Sequence, residues 1–359
     1  MQDTNVIRNV AIIGHGNCGK TSLAEAMLYT AGKINRLGKV DEGHAVMDFE
    51  EEEINRGISI NTGFHNYPWK KHRVFLADTP GDDNFLNETV FASHVCDSAL
   101  FTIGAVIGVK GQTIKFSNIV KEQNLPTIIA VNKMDRERAD FAKTVDQIKE
   151  SLAFNPIILQ LPIGAEDNFR GFVDVATGQA YLFDGNKGDV QPTDTPAELE
   201  DEVAELRESL MEAVAETDDE LIEKFLEEGE LSQDELMAGL KKGVADGAIT
   251  PICVCSATQN KGTAPLLSMI NDFMPCPSDR QPITATRTDS DEVIEIKPTV
   301  DEPFSALVFK TMADPYAGRL TIFRVFSGEL KGDSFYNSSK KTSERFGRNR
   351  RTRNDYRCG

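Results

Sequence analysis

The sequence predicts an α/β protein: a mostly parallel sheet with helices on both faces, carrying an inserted α+β subdomain and followed by a small antiparallel β-domain. Three observations carry this. Short apolar runs alternate with helical patterns through the first 155 residues, the alternation resumes near residue 249 after a long interruption, and the composition changes again beyond residue 280.

Residues 9–13, 73–77, 98–103 and 127–131 read as strands, and 20–31, 84–96, 111–124 and 140–152 as helices. Strands separated by helices of this length pair in parallel, because a crossover must return the chain to the same end of the sheet. A strand at 249–255 and a helix at 263–273 repeat the signature and complete the first domain, placed at 1–280. The interruption, about 155–247, starts with strand-like pieces near 157–162, 171–175 and 179–183 and then turns helical. Between residues 194 and 230 there are sixteen acidic residues against Arg207 and Lys224, while Leu199, Val203, Leu206, Leu210 and Val214 keep helical spacing. One stripe therefore faces a core, and the rest is a solvated acidic face or a docking surface for a basic partner. Pro275, Pro277, Pro282, Pro298 and Pro303 mark a linker, placed at 281–303. Strand-like runs at 304–311, 319–327 and 333–336, joined by the turn sequences DPYAG and GELKGD, make the β-domain of 304–346. The last twenty residues carry eight basic and two acidic side chains and almost no apolar ones, so 347–359 read as a basic, disordered tail.

Lys and Arg number 39 against 57 Asp and Glu, a net charge of −18. That excludes binding nucleic acid through a generic basic surface, which needs clustered Lys and Arg. The longest charge-free apolar stretch, 99–109, is too short to span a bilayer, and the N-terminus lacks the basic and apolar regions of a secretory signal. A cytoplasmic location follows as the expectation. The six cysteines show no CxxC pair and no zinc spacing, and read as free thiols. No coiled-coil heptads occur, so a monomer is expected.

Gly14-His15-Gly16-Asn17-Cys18-Gly19-Lys20-Thr21 fits GxxxxGK[ST] between a predicted strand and a predicted helix. Glycines let successive N–H groups curl around phosphate oxygens, and the helix N-terminus adds its positive end. Lys20 would bridge the terminal phosphates, and Thr21 would offer a hydroxyl to Mg²⁺, a hard ion that prefers oxygen. Asp78-Thr79-Pro80-Gly81 ends the second predicted strand, where a carboxylate can hold the Mg²⁺ shell through water and the Gly81 N–H can sense a γ-phosphate. Asn132-Lys133-Met134-Asp135 ends the fourth. A carboxylate there accepts hydrogen bonds from guanine N1–H and the 2-amino group, donors that adenine lacks, and a buried pair left unmade supports discrimination of about 10⁴. Ser256-Ala257 is placed to reach the guanine oxygen through a backbone N–H. The fold is then a P-loop GTPase domain, and the ligands GTP or GDP with Mg²⁺.

With these motifs the sequence resembles the translational GTPases, elongation factor G most closely, over about residues 5–346. Beyond GHGNCGKT, DTPG and NKMD, the resemblance rests on MDFEEEEINRGISI (47–60), LQLPIGAEDNFRGFVDV (159–175) and FKTMADPYAGRLTIFRVFSGELKGD (309–333). It implies that the insertion is a subdomain of the G domain and that the β-domain begins a barrel, here incomplete. It also implies a factor that docks on the ribosome, meeting rRNA and the acidic stalk protein, and uses GTP hydrolysis to promote movement of tRNA and mRNA.

Three departures from the family pattern stand out. Ser59 occupies the first-switch position where the family has a Thr that reaches Mg²⁺; a Ser hydroxyl makes the same contact. Asp82 follows DTPG where elongation factor G has a His that orients the attacking water. A carboxylate there adds like charge beside a transition state already spreading negative charge over its oxygens, so slower hydrolysis is expected, and a regulatory switch with weak turnover is the alternative. His15, inside the phosphate loop, reads as structural, because its position turns backbone rather than ring toward phosphate, and Cys18 lacks a base partner for nucleophilic work. The family runs to roughly twice this length. A truncated or frame-shifted product is the expectation, with a short paralogue whose basic tail binds rRNA as the other reading.

Overall fold

The structure, a computed structural model, describes residues 4–345 of the 359 apart from 49, 281, 288, 289, 291, 315–317 and 333. The chain divides into two compact units, residues 7–275 and residues 1–6 with 276–359.

The larger unit is built on a seven-stranded sheet. In chain order it contains β1 (Ile7–Ile13), α1 (Lys20–Thr30), α2 (Glu51–Arg56), β2 (Gly63–Trp69), β3 (His72–Asp78), α3 (Leu86–Val95), β4 (Ser98–Gly104), α4 (Gly111–Glu122), β5 (Thr127–Asn132), α5 (Phe141–Ser151) and β6 (Pro156–Ile158). After the insertion come β11 (Thr250–Val254) and α9 (Thr263–Phe273). The strand order is β2-β3-β1-β4-β5-β11-β6, with β2 antiparallel to β3 and every other neighbour parallel. Alternation along β1 shows why both faces are covered. Val10 and Ile12 join a core containing Leu23 and Met27 of α1 and Leu267 and Ile270 of α9; Ala11 and Ile13 join another containing Phe116 and Val120 of α4 and Val145 and Ile148 of α5. Burying an Ile fully is worth about 1.5–3 kcal/mol, and Ile12 and Ile13 are both wholly enclosed.

The insertion holds a four-stranded antiparallel sheet, β7 (Gln160–Ile163), β8 (Gly171–Asp174), β9 (Ala180–Asp184) and β10 (Asp189–Thr193), in the order β10-β9-β8-β7. Helices α6 (Glu200–Ala215), α7 (Asp219–Glu228) and α8 (Gln233–Ala245) follow. On α6 the predicted stripe points inward: Val203, Leu210 and Val214 are buried, and Leu199 and Leu206 pack against the same core. The strand-like piece at 157–162 splits in two. Residues 156–158 add a parallel edge to the large sheet, the Leu159 N–H donates to the Ile252 carbonyl at 3.0 Å, and the chain then turns into the antiparallel sheet.

The smaller unit contains three antiparallel strand pairs: β12 (Ile283–Thr286) with β13 (Val293–Ile296), β14 (Ser305–Asp314) with β15 (Gly318–Ser327), and β16 (Ser334–Asn337) with β17 (Thr342–Arg345). Among its described residues only Cys276 and Ser327 are buried. Part of the DPYAG turn, Asp333 and the tail of 347–359 lie outside the described residues. No helix among the described residues is long and apolar enough to cross a membrane.

Candidate nucleotide-binding site

Four chain segments meet beyond the carboxyl ends of β1, β3, β5 and β11, the end of a parallel sheet where ligands bind. The β1–α1 loop takes its shape from two glycines. Gly14 has φ +156° and lies against the Thr102 carbonyl, which a Cβ would strike; Gly19, at φ +93°, begins α1, and a Cβ there would strike the Asn132 amide. Asn17 supplies a further left-handed residue at φ 64°. Lys20 is buried, and its ammonium donates to the His15 carbonyl at 3.1 Å. Gly81 comes so close that a Cβ on it would lie 2.7 Å from the Gly16 nitrogen and would run into the Lys20 ammonium. Phosphate loop and DTPG turn therefore touch, with Lys20 at the seam.

Thr79 staples that turn to β1: its N–H and its hydroxyl both donate to the Ile12 carbonyl, at 3.2 and 2.7 Å. Pro80 presents its carbonyl to the Thr89 hydroxyl at 3.5 Å. Asp78 is 2% exposed, and its Oδ1 has no hydrogen-bond partner. Burial pushes the Asp78 carboxyl up to about 7 against the pull of Lys20 and the Thr21 hydroxyl, with Asp48 and Glu25 adding to the rise. The Thr21 hydroxyl sits 3.1 Å from that of Ser59, which donates to Asp48 at 2.9 Å. Two hydroxyls and an unsatisfied buried carboxylate oxygen beside a lysine are hard oxygen donors, and they fit an octahedral cation that keeps several waters. Residues Thr21, Ser59 and Asp78 are thus brought together. Asp48 belongs with them and was not picked out from the sequence, because it stands directly ahead of the acidic run 50–53, where one more carboxylate carries no signal.

His15 is wholly buried, with Nδ1 3.0 Å from the Thr113 hydroxyl of α4. Burial, reinforced by Lys20, Lys110 and Lys133, lowers its pKa to about 4, so the ring is neutral at pH 7 and ties the phosphate loop to α4. The Cys18 thiol is pushed up by burial despite Lys20 and Lys133, which keeps it protonated and inert. Asp82 turns its carboxylate along its own chain: Oδ1 accepts from the Asn84 N–H at 2.9 Å and the Asn84 amide at 2.7 Å, capping a short turn at Asp83–Phe85. Asp83 pairs with Lys115 of α4 at 2.7 Å.

At the other end of the loop, Asn132 is architectural. Its Nδ2 donates to the carbonyls of Cys18 at 3.1 Å and Gly19 at 3.4 Å, and its Oδ1 accepts the Ala257 N–H at 3.0 Å. The Ser256 N–H is also engaged, with the Lys261 carbonyl at 3.0 Å, so both N–H groups of this dipeptide have partners within the protein. Lys133 has φ 66°, which sends its side chain alongside Gly19 and Gly104, while Met134 is wholly buried in the core. The Asp135 side chain is 6% exposed. Its Oδ1 has no partner, and its Oδ2 lies 3.4 Å from the Thr258 hydroxyl and 3.8 Å from Arg136. A cavity of about 500 Å³ lies between the phosphate loop and this segment, with Asn17, Gly104, Ile107, Lys133 and Arg136, though not Asp135, among its walls. The arrangement offers phosphate a cradle of backbone and one lysine, and offers a base a carboxylate acceptor some distance along the same groove.

Comparison with known proteins agrees with this geometry. Residues 5–276 match the family described as the elongation factor Tu GTP binding domain, and residues 303–358 match elongation factor G domain 2. The fold is similar to that of a protein from Thermus thermophilus solved by crystallography, with a TM-score of 0.82 and 29% sequence identity over 95% of this chain and 48% of that one. The chain therefore spans about half the length of that relative. The family match covers most of the chain and the motifs fall at the ends of the strands that build the groove: this chain belongs to the elongation factor Tu GTP-binding-domain family.

Proposed function

We propose that this protein is a GTP-hydrolysing translation elongation factor of the elongation factor G type, which works in the cytoplasm on the ribosome and promotes movement of tRNA and mRNA. The observation that carries the reading is the convergence of Lys20, Thr21, Ser59 and the partnerless Asp78 Oδ1 on the phosphate loop, with a second partnerless carboxylate oxygen, Asp135 Oδ1, at the other end of the loop. Buried acceptors are normally satisfied, and beside the phosphate loop a bound ligand is the natural source of the missing donors. At Asp135 the fitting donor is a base with two adjacent N–H groups, guanine. Next to Asp78 it is the hydrated cation that accompanies a nucleoside triphosphate.

In this reading the backbone of Gly14–Thr21 holds the phosphates, and Lys20 bridges the β- and γ-phosphates while releasing the His15 carbonyl. Thr21 and Ser59 would offer hydroxyls to Mg²⁺ and Asp78 would hold its water shell; the ion would supply neutralisation of phosphate charge. The Gly81 N–H donates to the γ-phosphate, at a position where the Gly16 backbone and Lys20 leave no room for a side chain. Asn132 keeps the phosphate loop in register with the base pocket, and Lys133 covers the base.

Asp82 limits the chemistry. Committed to Asn84, its carboxylate does not present itself to an attacking water as an imidazole would, and its charge opposes that of the transition state. This favours, as a second reading, a ribosome-binding switch that holds GTP and turns it over slowly. One experiment separates the two: GTP turnover by the whole chain with and without ribosomes, beside Asp82→His, with GTP binding measured independently. Strong stimulation of the unmodified chain supports the elongation factor. Binding without turnover, restored in Asp82→His, supports the switch, and no guanine nucleotide binding at all overturns both.

A further inference from the structure

Glu25 is wholly buried on α1, one turn beyond Thr21 on the same helix face, and none of the chemistry above uses it. An enclosed carboxylate is costly unless hydrogen-bond donors surround it. Its donors come from a distant loop. Glu25 Oε1 accepts the N–H of Val46 at 2.5 Å and of Met47 at 3.2 Å, while Oε2, which no hydrogen bond of good geometry satisfies, lies against Gly38, where a Cβ would collide with it. Met47 is buried in the same core as Leu23 and Met27 of α1, so the loop is seated as well as hydrogen-bonded.

The next residue, Asp48, accepts from Ser59, and Ser59 meets Thr21. Helix α1 therefore grips both ends of the 38–59 segment, through Glu25 at the beginning and Thr21 at the end. Beyond Ser59 the chain is held by other carboxylates: Glu53 accepts from Ile60 and Asn61, each at 2.9 Å, and Glu88 of α3 accepts from the Thr62 N–H and hydroxyl at 2.8 and 2.7 Å. Of these contacts, those of Thr21 and Ser59 would change when a cation and triphosphate arrive, because both hydroxyls would turn to the ion. Those of Glu25 need not change at all.

We propose that Glu25 is a positioning residue that holds the 38–48 loop against α1, so that Asp48 and Ser59 are already in place for the triphosphate form. The proposal rests on the reading of Thr21, Ser59 and Asp78 as the Mg²⁺·GTP site, and deepens it by assigning nucleotide-state discrimination to a side chain that touches neither ligand. The diphosphate makes less use of this segment, since it has no γ-phosphate to engage it. Loss of Glu25 should therefore weaken triphosphate binding selectively.

The test uses the full chain and follows release of fluorescent GDP and of a fluorescent non-hydrolysable GTP analogue by stopped flow at fixed Mg²⁺. Glu25→Ala should release the analogue about tenfold faster, the fold-change one charge-assisted hydrogen bond carries, and GDP less than about twofold faster. Glu25→Gln, whose amide oxygen can still accept from Val46 and Met47, should recover most of the difference. Gly38→Ala places a methyl against Glu25 Oε2 and the His44 carbonyl, so it disturbs the seat of the loop from the loop side and should reproduce the selective effect even if Glu25→Ala folds poorly. Equal acceleration of both nucleotides in Glu25→Ala and Gly38→Ala overturns this proposal and leaves the nucleotide site standing. Failure of the unmodified chain to bind either nucleotide overturns the nucleotide site and this proposal with it.

Discussion

The two units of this chain solve the same problem, pairing strands, with opposite results for their interiors. In residues 7–275 every strand of the large sheet except the two at its edges has a neighbour on each side, and helices cover both faces. In the described part of residues 276–345 the strands pair only two by two, and Cys276 and Ser327 alone are buried. Ladder hydrogen bonds replace bonds to water and so contribute little net stability, whereas apolar area removed from water does, and removing it takes a second layer. The contrast teaches that regular strands are not by themselves a core: β14 and β15 are the longest strands among the described residues, yet Leu307 and Val308 on β14 remain about half exposed.

Truncating a central side chain of the layered unit gives the largest effect that the comparison predicts. Phe101, in the middle of β4, is wholly buried and meets Phe154 edge-on with ring centroids 5.3 Å apart. Phe101→Ala should cost about 3–5 kcal/mol in denaturant unfolding at pH 7, the loss of transfer energy plus a cavity that close packing cannot collapse. A loss below about 1 kcal/mol would mean that this interior is as loose as the β-hairpins.

Charge separates the two units next. The ion pairs of the smaller unit, such as Arg287 with Glu292 at 3.0 Å, are solvent-exposed and worth little. His15 in the larger unit is enclosed, with a pKa of about 4 against an ordinary 6.5. Because the unfolded chain takes up the proton first, stability should rise with pH from about 4 to 6.5 and level off above that, by up to about 3 kcal/mol from this residue. His15→Gln, measured by denaturant midpoint across that window, should flatten part of the slope; an unchanged slope would show that the imidazole is solvated in the native state.

How much of this was legible beforehand follows the same division. Strands β1, β4, β5 and β11 are runs of apolar residues buried on both faces, which is the pattern a parallel sheet leaves in sequence, and nucleotide-binding motifs follow three of these four strands. Strand β2, GFHNYPW, escaped detection because it is an edge strand with a polar face and Pro68, and edges need neither continuous apolar residues nor every N–H. Asp48 and Glu25 were invisible for another reason. Their roles depend on which groups converge on them from elsewhere in the chain, the Ser59 hydroxyl for Asp48 and the Val46 and Met47 N–H groups for Glu25, and no local pattern encodes that meeting. The apolar stripe on α6 was readable because period and burial agree within one helix.

Leu307 lies on β14 opposite Arg324 of β15 and is 47% exposed, so truncating it removes little buried area and leaves no cavity. Leu307→Ala should change unfolding free energy by no more than about 0.5 kcal/mol, the range of surface substitutions. The same kind of truncation in Phe101→Ala is several times costlier, although both residues lie within strands and have ladder partners. Strand pairing is thus held roughly constant while layering differs. If Leu307→Ala instead cost about 2 kcal/mol or more, the hairpin face would have to be covered in solution, and a second copy of the chain pairing through that face should then appear as a concentration-dependent midpoint in the unmodified protein.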